Sequence, residues 1–280
     1  MRPRVAFQGE RGAFSEEAAI SFFAEPVAVA VPSWRAVFEA IRDGSVDCGV
    51  VAIENSLGGS IRETYDLLYE FDLKIVGEVM VAVRLALMAL PGQRLEEIER
   101  VYSHPQGIAQ ADEFLRKRDW TVMTAYNTAG SAKMIRDRAE MGAAAVASAR
   151  VAGLYGLSIL VEDVQSGDEN RTRFAVLAPD GLRLGWARMA AAGPTKTTLV
   201  FATRNVPGSL YRCLGAFAER GVNLSRLESR PSRATRWEYV FWADLDAAAD
   251  DPNCAAGLER LRRDAAMVRV LGSYPAAAEA

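Results

Sequence analysis

Short apolar runs alternate with helix-period segments through the first 178 residues of the chain. Arg4–Gln8 reads as a strand, and Gly12 opens a helix that reaches about Phe23. Val27–Val31 is the next strand. Ser33 is a good N-cap for a helix over Trp34–Arg42, and Gly44 suits its C-terminal stop. Asp47–Ile53 is an apolar run that ends in the polar cluster Glu54-Asn55-Ser56. Ser60 and Glu63 then stand at capping-box spacing ahead of a helix over Tyr65–Phe71. Strand, helix and strand in this order predict a mostly parallel sheet with helices on both faces.

Leu73–Leu90 is too long for one ordinary strand, and its alternation is imperfect. It reads as a pair of strands crossing between two lobes. The pattern then restarts, with a strand at Arg100–Ser103, a helix at Pro105–Lys117, a strand at Trp120–Tyr126 and a helix at Thr128–Arg138. Ala143–Ala147 is strand-like, Arg150–Leu154 helical and Leu157–Glu162 extended, and Arg173–Leu177 is a last strand. Two similar α/β blocks predict a two-lobed domain with a cleft over 1–178. Lobe one is expected at about 1–77 and 158–178, and lobe two at about 78–157, with crossings near Glu78 and Ser158. Residues 179–195 carry three glycines and little periodicity, which marks a linker.

A different rhythm follows over 196–274. Thr197–Thr203 is a strand, Gly208–Arg220 an amphipathic helix, and Leu224–Ser229 and Trp237–Asp244 are strands. Asn253–Asp264 is a helix and Val268–Leu271 a strand. This is a ferredoxin-like βαββαβ unit. The Ala-rich tail after Tyr274 is expected to fray.

Charge and composition narrow the partners. A net charge of −3 makes no electrostatic case for nucleic acid or an anionic membrane. The longest apolar stretch, Ile75–Pro91, is interrupted by Glu78 and Arg84, so no transmembrane helix is expected. Met-Arg-Pro-Arg enters a strand at once, and no signal peptide is expected. Cys48, Cys213 and Cys254 are odd in number, far apart and without metal spacing, which fits a reducing cytoplasm. His104 is the single histidine, which removes any mechanism that needs two.

Ligands of open parallel sheets bind at the carboxyl ends of strands and at helix N-termini. After the first strand stand Gly9, Gly12 and Ser15, which either offer N–H groups to an anion or form a plain turn. Gly9-x-x-Gly12 lacks the dinucleotide-binding spacing. Ile53 to Ser60 is either a ligand-binding end or a cap with a glycine turn. Ser103-His104-Pro105-Gln106 opens a helix, with Pro105 suited to its first turn and His104 either a structural hydrogen-bonder or a catalyst. Asn127-Thr128-Ala129-Gly130-Ser131 holds the equivalent place, where Asn127 or Thr128 is also a plain N-cap. Asn170-Arg171-Thr172-Arg173-Phe174, after Ser166-Gly167-Asp168-Glu169, offers Arg171 or Arg173 to a carboxylate or forms a solvated loop. Five such loops rich in Ser, Thr, Asn and Gly suit a small, multiply anionic ligand held mostly by neutral donors. No nucleophilic triad is assignable.

Taken together and in order, these segments resemble the prephenate dehydratase family from Val5 to Leu271. The matching segments are Phe7-Gln8-Gly9 with Gly12, Phe14 and Ser15; Ile53-Glu54-Asn55-Ser56 with Gly59; Ser103-His104-Pro105-Gln106 with Gln110; Asn127-Thr128-Ala129; and Asn170-Arg171-Thr172-Arg173-Phe174. Ala52 and Ala111 depart mildly from the pattern. The resemblance implies a two-lobed catalytic domain like the type II periplasmic binding proteins. It also implies decarboxylative dehydration of prephenate to phenylpyruvate in L-phenylalanine biosynthesis, with no cofactor and no metal. It makes Thr172 the proton donor to the leaving hydroxyl, with Asn170 and Arg173 beside it. Arg173 is the expected partner of an anion, with bracing of the loop as its alternative. Ser15, Asn55, Ser56, Gln106, Asn127, Thr128 and Phe174 are the expected substrate-binding residues, and His104 orients its loop. An arogenate dehydratase and a non-catalytic amino-acid sensor of the same fold are the alternatives.

Residues 196–274 resemble an ACT domain, whose two motifs in this family bind phenylalanine. Here they are Pro207-Gly208-Ser209-Leu210, with Ser209 where the family usually has Ala, and Asn223-Leu224 followed by Glu228-Ser229-Arg230-Pro231. Glu228 and Arg230 are ligands, or fix the strand end, or pair with each other. The resemblance implies allosteric inhibition by phenylalanine and a homodimer or homotetramer. With Phe7-Gln8-Gly9 so near the start, an N-terminal chorismate mutase domain is expected to be absent.

Overall fold

A computed structural model of the chain describes residues 2–167, 169–182, 194–231 and 239–277. Asp168, residues 183–193 of the expected linker, and Trp237 at the start of an expected strand lie outside the described residues.

The first block runs β1 (Arg4–Gln8), α1 (Phe14–Phe22), β2 (Val27–Val31), α2 (Trp34–Arg42), β3 (Cys48–Asn55), β4 (Gly59–Ser60), α3 (Arg62–Glu70) and β5 (Lys74–Ala82). β1 pairs parallel with both β2 and β3. α2 starts where the sequence predicts, with Ser33 Oγ accepting the Ala36 N–H at 3.1 Å. Ser60 pairs with Glu54 in the short antiparallel β3–β4 hairpin, directly ahead of α3. Gly59 turns that hairpin at a φ of +71°, a conformation glycine adopts without strain.

The second block runs β6 (Ala86–Ala89), β7 (Arg100–Ser103), α4 (Pro105–Gln110), α5 (Asp112–Leu115), β8 (Thr121–Thr124), α6 (Thr128–Arg138), β9 (Ala143–Ala147), α7 (Arg150–Tyr155) and β10 (Ser158–Val161). The single helix expected over Pro105–Lys117 breaks at Ala111, whose backbone leaves helical geometry. The sheet order is β10-β6-β9-β7-β8. β7 is parallel to β8 and β9, while β6 runs antiparallel to β9 and β10. The chain returns to the first sheet as β11 (Arg171–Ala178), giving the order β2-β1-β3-β11-β5 with β4 off β3.

The expected return crossing at Ser158 is therefore misplaced. Ser158–Val161 belongs to the second sheet, against Ala89–Leu87. Leu157 packs into one core cluster of that lobe and Leu160 and Val161 into the other. The crossing falls between Val161 and Arg171. The outward crossing likewise falls between Ala82 and Ala86, just after the expected Glu78.

The C-terminal region runs β12 (Thr195–Ala202), α8 (Ser209–Ala218), β13 (Leu224–Pro231), β14 (Tyr239–Leu245), α9 (Pro252–Asp264) and β15 (Met267–Pro275) in an antiparallel sheet ordered β13-β14-β12-β15. α8 and α9 cover one face through Phe201, Phe217, Leu245, Leu258 and Leu261. Asp66–Glu78 packs in the same compact unit as these strands. There Lys196 Nζ meets buried Glu78 at 3.1 Å. The Ala276 N–H reaches Pro194 and the Ala277 N–H reaches Glu78, so the tail stays tied through Ala277 instead of fraying after Tyr274.

Candidate active site

A cleft of about 290 Å³ opens within the first compact unit. The first block and β11 contribute Gln8, Gly9, Ser15, Trp34, Asn55, Thr172 and Phe174, and the second block contributes His104, Gln106, Gln110, Tyr126, Asn127 and Thr128. Ser15, Asn55, Gln106, Asn127, Thr128, Thr172 and Phe174 were singled out from sequence, and the fold brings them together. Trp34, Val83 and Tyr126 also line the cleft and were missed. Trp34 carries no signal beyond the first position of a capped helix, while Tyr126 directly precedes the Asn127 cap.

Among the described residues no Lys, Arg, Asp or Glu lines the cleft. The polar surface is made of amides, hydroxyls, an imidazole and an indole. α1, α4 and α6 all present their first residues to it, so helix dipoles add partial positive charge. α6 is fixed by Asn127, whose Oδ1 accepts the Gly130 N–H at 2.5 Å.

The centre of the site is a buried amide network. Asn55 Nδ2 donates to Thr172 Oγ1 at 3.0 Å, to Asn170 Oδ1 at 2.8 Å and to the Arg171 carbonyl at 3.1 Å. Asn55 Oδ1 accepts the N–H groups of Leu57 and Gly58, at 3.1 and 2.8 Å. These two bonds set which end of the amide faces Thr172. Thr172 thus accepts from Asn55, and its own O–H proton is left to donate elsewhere. Asn170 is buried behind this network, and its Nδ2 is buried without a hydrogen-bond partner.

Three expected site residues do not line the cleft. Arg173 points away from it, and its Nη2 lies 3.3 Å from Glu54 Oε2. The expected anion pairing is thus not what this contact serves, and the Glu54 contact corresponds to the alternative, the loop brace. Ser56 Oγ accepts the Arg171 N–H and donates to the Glu169 carbonyl, both at 3.0 Å, so it clips the two loops together. Asn170 supports Asn55. The first glycine loop is also not an open anion cradle. The Gly9 N–H bonds the Val31 carbonyl, and the Gly12 N–H bonds Glu16 Oε2 at 2.7 Å. Ser15 Oγ donates to the Gln8 carbonyl at 2.6 Å.

His104 Nδ1 accepts the Gln106 N–H at 3.3 Å, which places the ring proton on Nε2. Burial lowers its pKa from the ordinary value of 6.5, so the ring is neutral at neutral pH. Among the described residues no three His, Cys, Asp or Glu side chains gather as a metal site.

Comparison with known proteins decides the family. The family model for prephenate dehydratase matches residues 5–181, and that for the ACT domain matches residues 197–261. The chain belongs to the prephenate dehydratase family. It is 41% identical to arogenate dehydratase/prephenate dehydratase 2 of Arabidopsis thaliana, over 98% of this chain and 73% of the relative. A solved prephenate dehydratase from Arthrobacter aurescens, in complex with L-Phe, superposes at a TM-score of 0.85 with 31% identity, covering 97% of this chain and 90% of that one. A structure described as a novel type of quorum-quenching acylase, GqqA, superposes at 0.87 with 33% identity, covering 97% of each chain.

In the ACT domain of this family member, Gly208 caps α8 at a φ of +77°. Arg212 folds back over the loop, donating to the Pro207 carbonyl at 3.3 Å and to Ser209 Oγ at 3.2 Å. Leu210 packs against the domain core. Asn223 Nδ2 donates to Asp246 Oδ2 at 2.6 Å, and Leu224 pairs with Leu245. The residues of the second motif are divided between the two faces of the sheet. Ser229 pairs with core residue Phe241, on the helix-covered face. Pro231 shares that face by alternation. Glu228 pairs with Trp242 and Arg230 with Val240, on the opposite face, where Arg230 Nη1 meets Asp66 Oδ1 at 3.2 Å. The α8 N-terminus and the Glu228–Arg230 pair of positions therefore lie on different sides of the sheet.

Proposed function

We propose that the chain is a prephenate dehydratase, converting prephenate to phenylpyruvate for L-phenylalanine biosynthesis, with phenylalanine as its inhibitor. The observation that carries this reading is the Thr172 hydroxyl, polarised by a locked amide in a cleft of neutral donors. The reaction needs one proton delivered to a leaving hydroxyl and no nucleophile. The ring carboxylate departs as carbon dioxide, its electron pair enters the ring, and the opposite C–O bond breaks. Thr172 gives its proton to the departing hydroxide, which leaves as water, and recovers one from solvent. Aromatisation supplies the driving force. General acid catalysis of this kind contributes ~10²–10⁴-fold, and oriented donors supply further stabilisation.

Gln106, Asn127 and Thr128 hold the substrate's carboxylates, helped by the α6 N-terminus. Arogenate carries an ammonium where prephenate carries a keto oxygen. An ammonium calls for a carboxylate, and among the described residues no Asp or Glu lines the cleft, which favours the keto acid. Thr172 receives its hydrogen bond from an amide and not from a base that would deprotonate it, which favours an acid over the nucleophile an acylase requires.

Phenylalanine binds at the ACT domain beside the α8 N-terminus, near Gly208 and Ser209, where a helix dipole suits a carboxylate. The enzyme is at least a homodimer, because β13 is a sheet edge with Leu227 exposed on it, and such edges pair. Free buried cysteines suit a reducing cytoplasm. Among the described residues no helix is long and apolar enough to cross a membrane.

The test is steady-state turnover of prephenate and of arogenate by the full chain, with and without phenylalanine. Prephenate is expected to have the higher kcat/KM, and phenylalanine to inhibit. A reversed preference would make the chain an arogenate dehydratase, and no turnover of either would support the sensor.

A further inference from the structure

The loop between β1 and α1 reaches across the cleft. Glu10 Oε2 accepts from Lys133 Nζ of α6 at 3.0 Å, and Glu10 Oε1 accepts from Tyr126 OH at 3.3 Å. Next to it, the Arg11 carbonyl accepts from Tyr155 OH at 3.0 Å. A Cβ on Gly12 would stand 2.8 Å from Val151 Cγ2 of α7, so backbone and helix are already in close contact. Gln8 at the end of β1 and Gly9 of the same loop belong to one cleft wall, and the helix carrying Lys133 starts with Thr128 of the other.

We propose that Glu10 and Lys133 are positioning residues that clamp the two lobes at the spacing the substrate requires. Neither lines the cleft, so they act through the walls they join. An open cleft would separate the residues of the first lobe from Gln106, Asn127 and Thr128 of the second, and one small dianion contacts both sets. The ion pair is the adjustable part of the clamp. Its partners are 36% and 29% exposed, so salt screens it and its strength is that of a surface pair. The carboxylate and ammonium are singly charged and face each other, so exchanging them keeps the clamp and reverses its polarity.

This inference rests on the dehydratase reading, and the experiment separates the two. Lys133→Met and Glu10→Gln, each in the full chain, are expected to raise the KM for prephenate about two- to five-fold with kcat within about two-fold. The exchange variant carrying Glu10→Lys and Lys133→Glu together is expected to recover most of the loss. The salt dependence of KM should shrink in both single variants. Independently of activity, spin labels on Asp43→Cys and Lys117→Cys, one exposed site per lobe, should report a longer or broader interlobe distance in the single variants. The native cysteines are buried and do not compete for label. Unchanged KM and distance in both single variants would overturn the clamp. So would opposite shifts of KM, which would mark a field effect on an anionic substrate. If the exchange variant folds poorly, Lys133→Arg, expected near the wild-type KM and distance, decides in its place. Lack of prephenate turnover by the wild-type chain would sink the dehydratase reading, and the label distance would still decide the clamp.

Discussion

Asn55 Nδ2 lies 3.0 Å from Thr172 Oγ1, and the Leu57 and Gly58 N–H groups hold the other end of the same amide. The direction of that hydrogen bond matters more than its length. A hydroxyl that accepts from an amide keeps its one proton for another partner, and the amide makes the oxygen a slightly better acid by withdrawing charge.

Thr172→Ala is expected to lower kcat by ~10²–10⁴-fold with little change in KM. Thr172→Ser should keep appreciable activity, because the hydroxyl and its Asn55 contact survive. Steady-state kinetics on prephenate checks both. A Thr172→Ala enzyme near wild-type rate would remove Thr172 from the chemistry.

Asn55→Asp reverses the polarity of the network. The introduced carboxylate would accept the Thr172 proton and would also face the Asn170 and Arg171 oxygens that Asn55 now satisfies. Activity should fall sharply at neutral pH and return in part as pH drops and the new carboxyl becomes protonated, since it can then donate to Oγ1. A loss that is flat with pH would show that Asn55 acts only through folding or substrate contact.

Arg173→Met tests the brace reading. Losing a partly exposed ion pair costs about 0.2–1 kcal/mol. Glu54 is 38% exposed and can rehydrate, which keeps the loss toward the lower end. Denaturant unfolding should show this loss, while the KM for prephenate changes little. A large rise in KM at unchanged stability would make Arg173 a substrate ligand after all.

His104 has a proton affinity lowered by burial. The unfolded chain therefore binds the proton more readily than the folded one. Stability attributable to this group is full above its ordinary pKa of 6.5 and is lost as pH falls below that value toward the lower folded pKa. The difference in unfolding free energy between wild type and His104→Asn, followed from pH 8 down to about 5, should narrow or change sign on the acid side. A difference constant across that range would mean the ring keeps its ordinary affinity.

The order of elements and most of their bounds were readable because their causes are local. Asn127 caps α6 through its own third neighbour, and Ala143–Ala147 is apolar enough to be a buried strand wherever the chain carries it. Four of the five site loops could be named for the same reason, as each sits between a strand and a helix start, while the fifth lies between β10 and β11. One error was also local. Placing the start of the last strand at Arg173 hid an alternation that begins at Arg171. With the true start, Thr172 and Phe174 fall on one face and Arg173 on the other, since side chains alternate along a strand. Other features had no local cause. The Gly9 N–H is consumed by Val31 on a neighbouring strand, and Glu10 finds Lys133 at a separation of 123 residues. The proton direction at Thr172 depends on an amide 117 residues away that two further backbone groups orient. The sequence by itself determined which groups the site holds and the elements that carry them, because capping, alternation and turn chemistry act over a few residues. Which of those groups keep a free donor or charge was decided only by tertiary structure, because a hydrogen-bonding group is spent on whatever partner packing brings within about 3 Å.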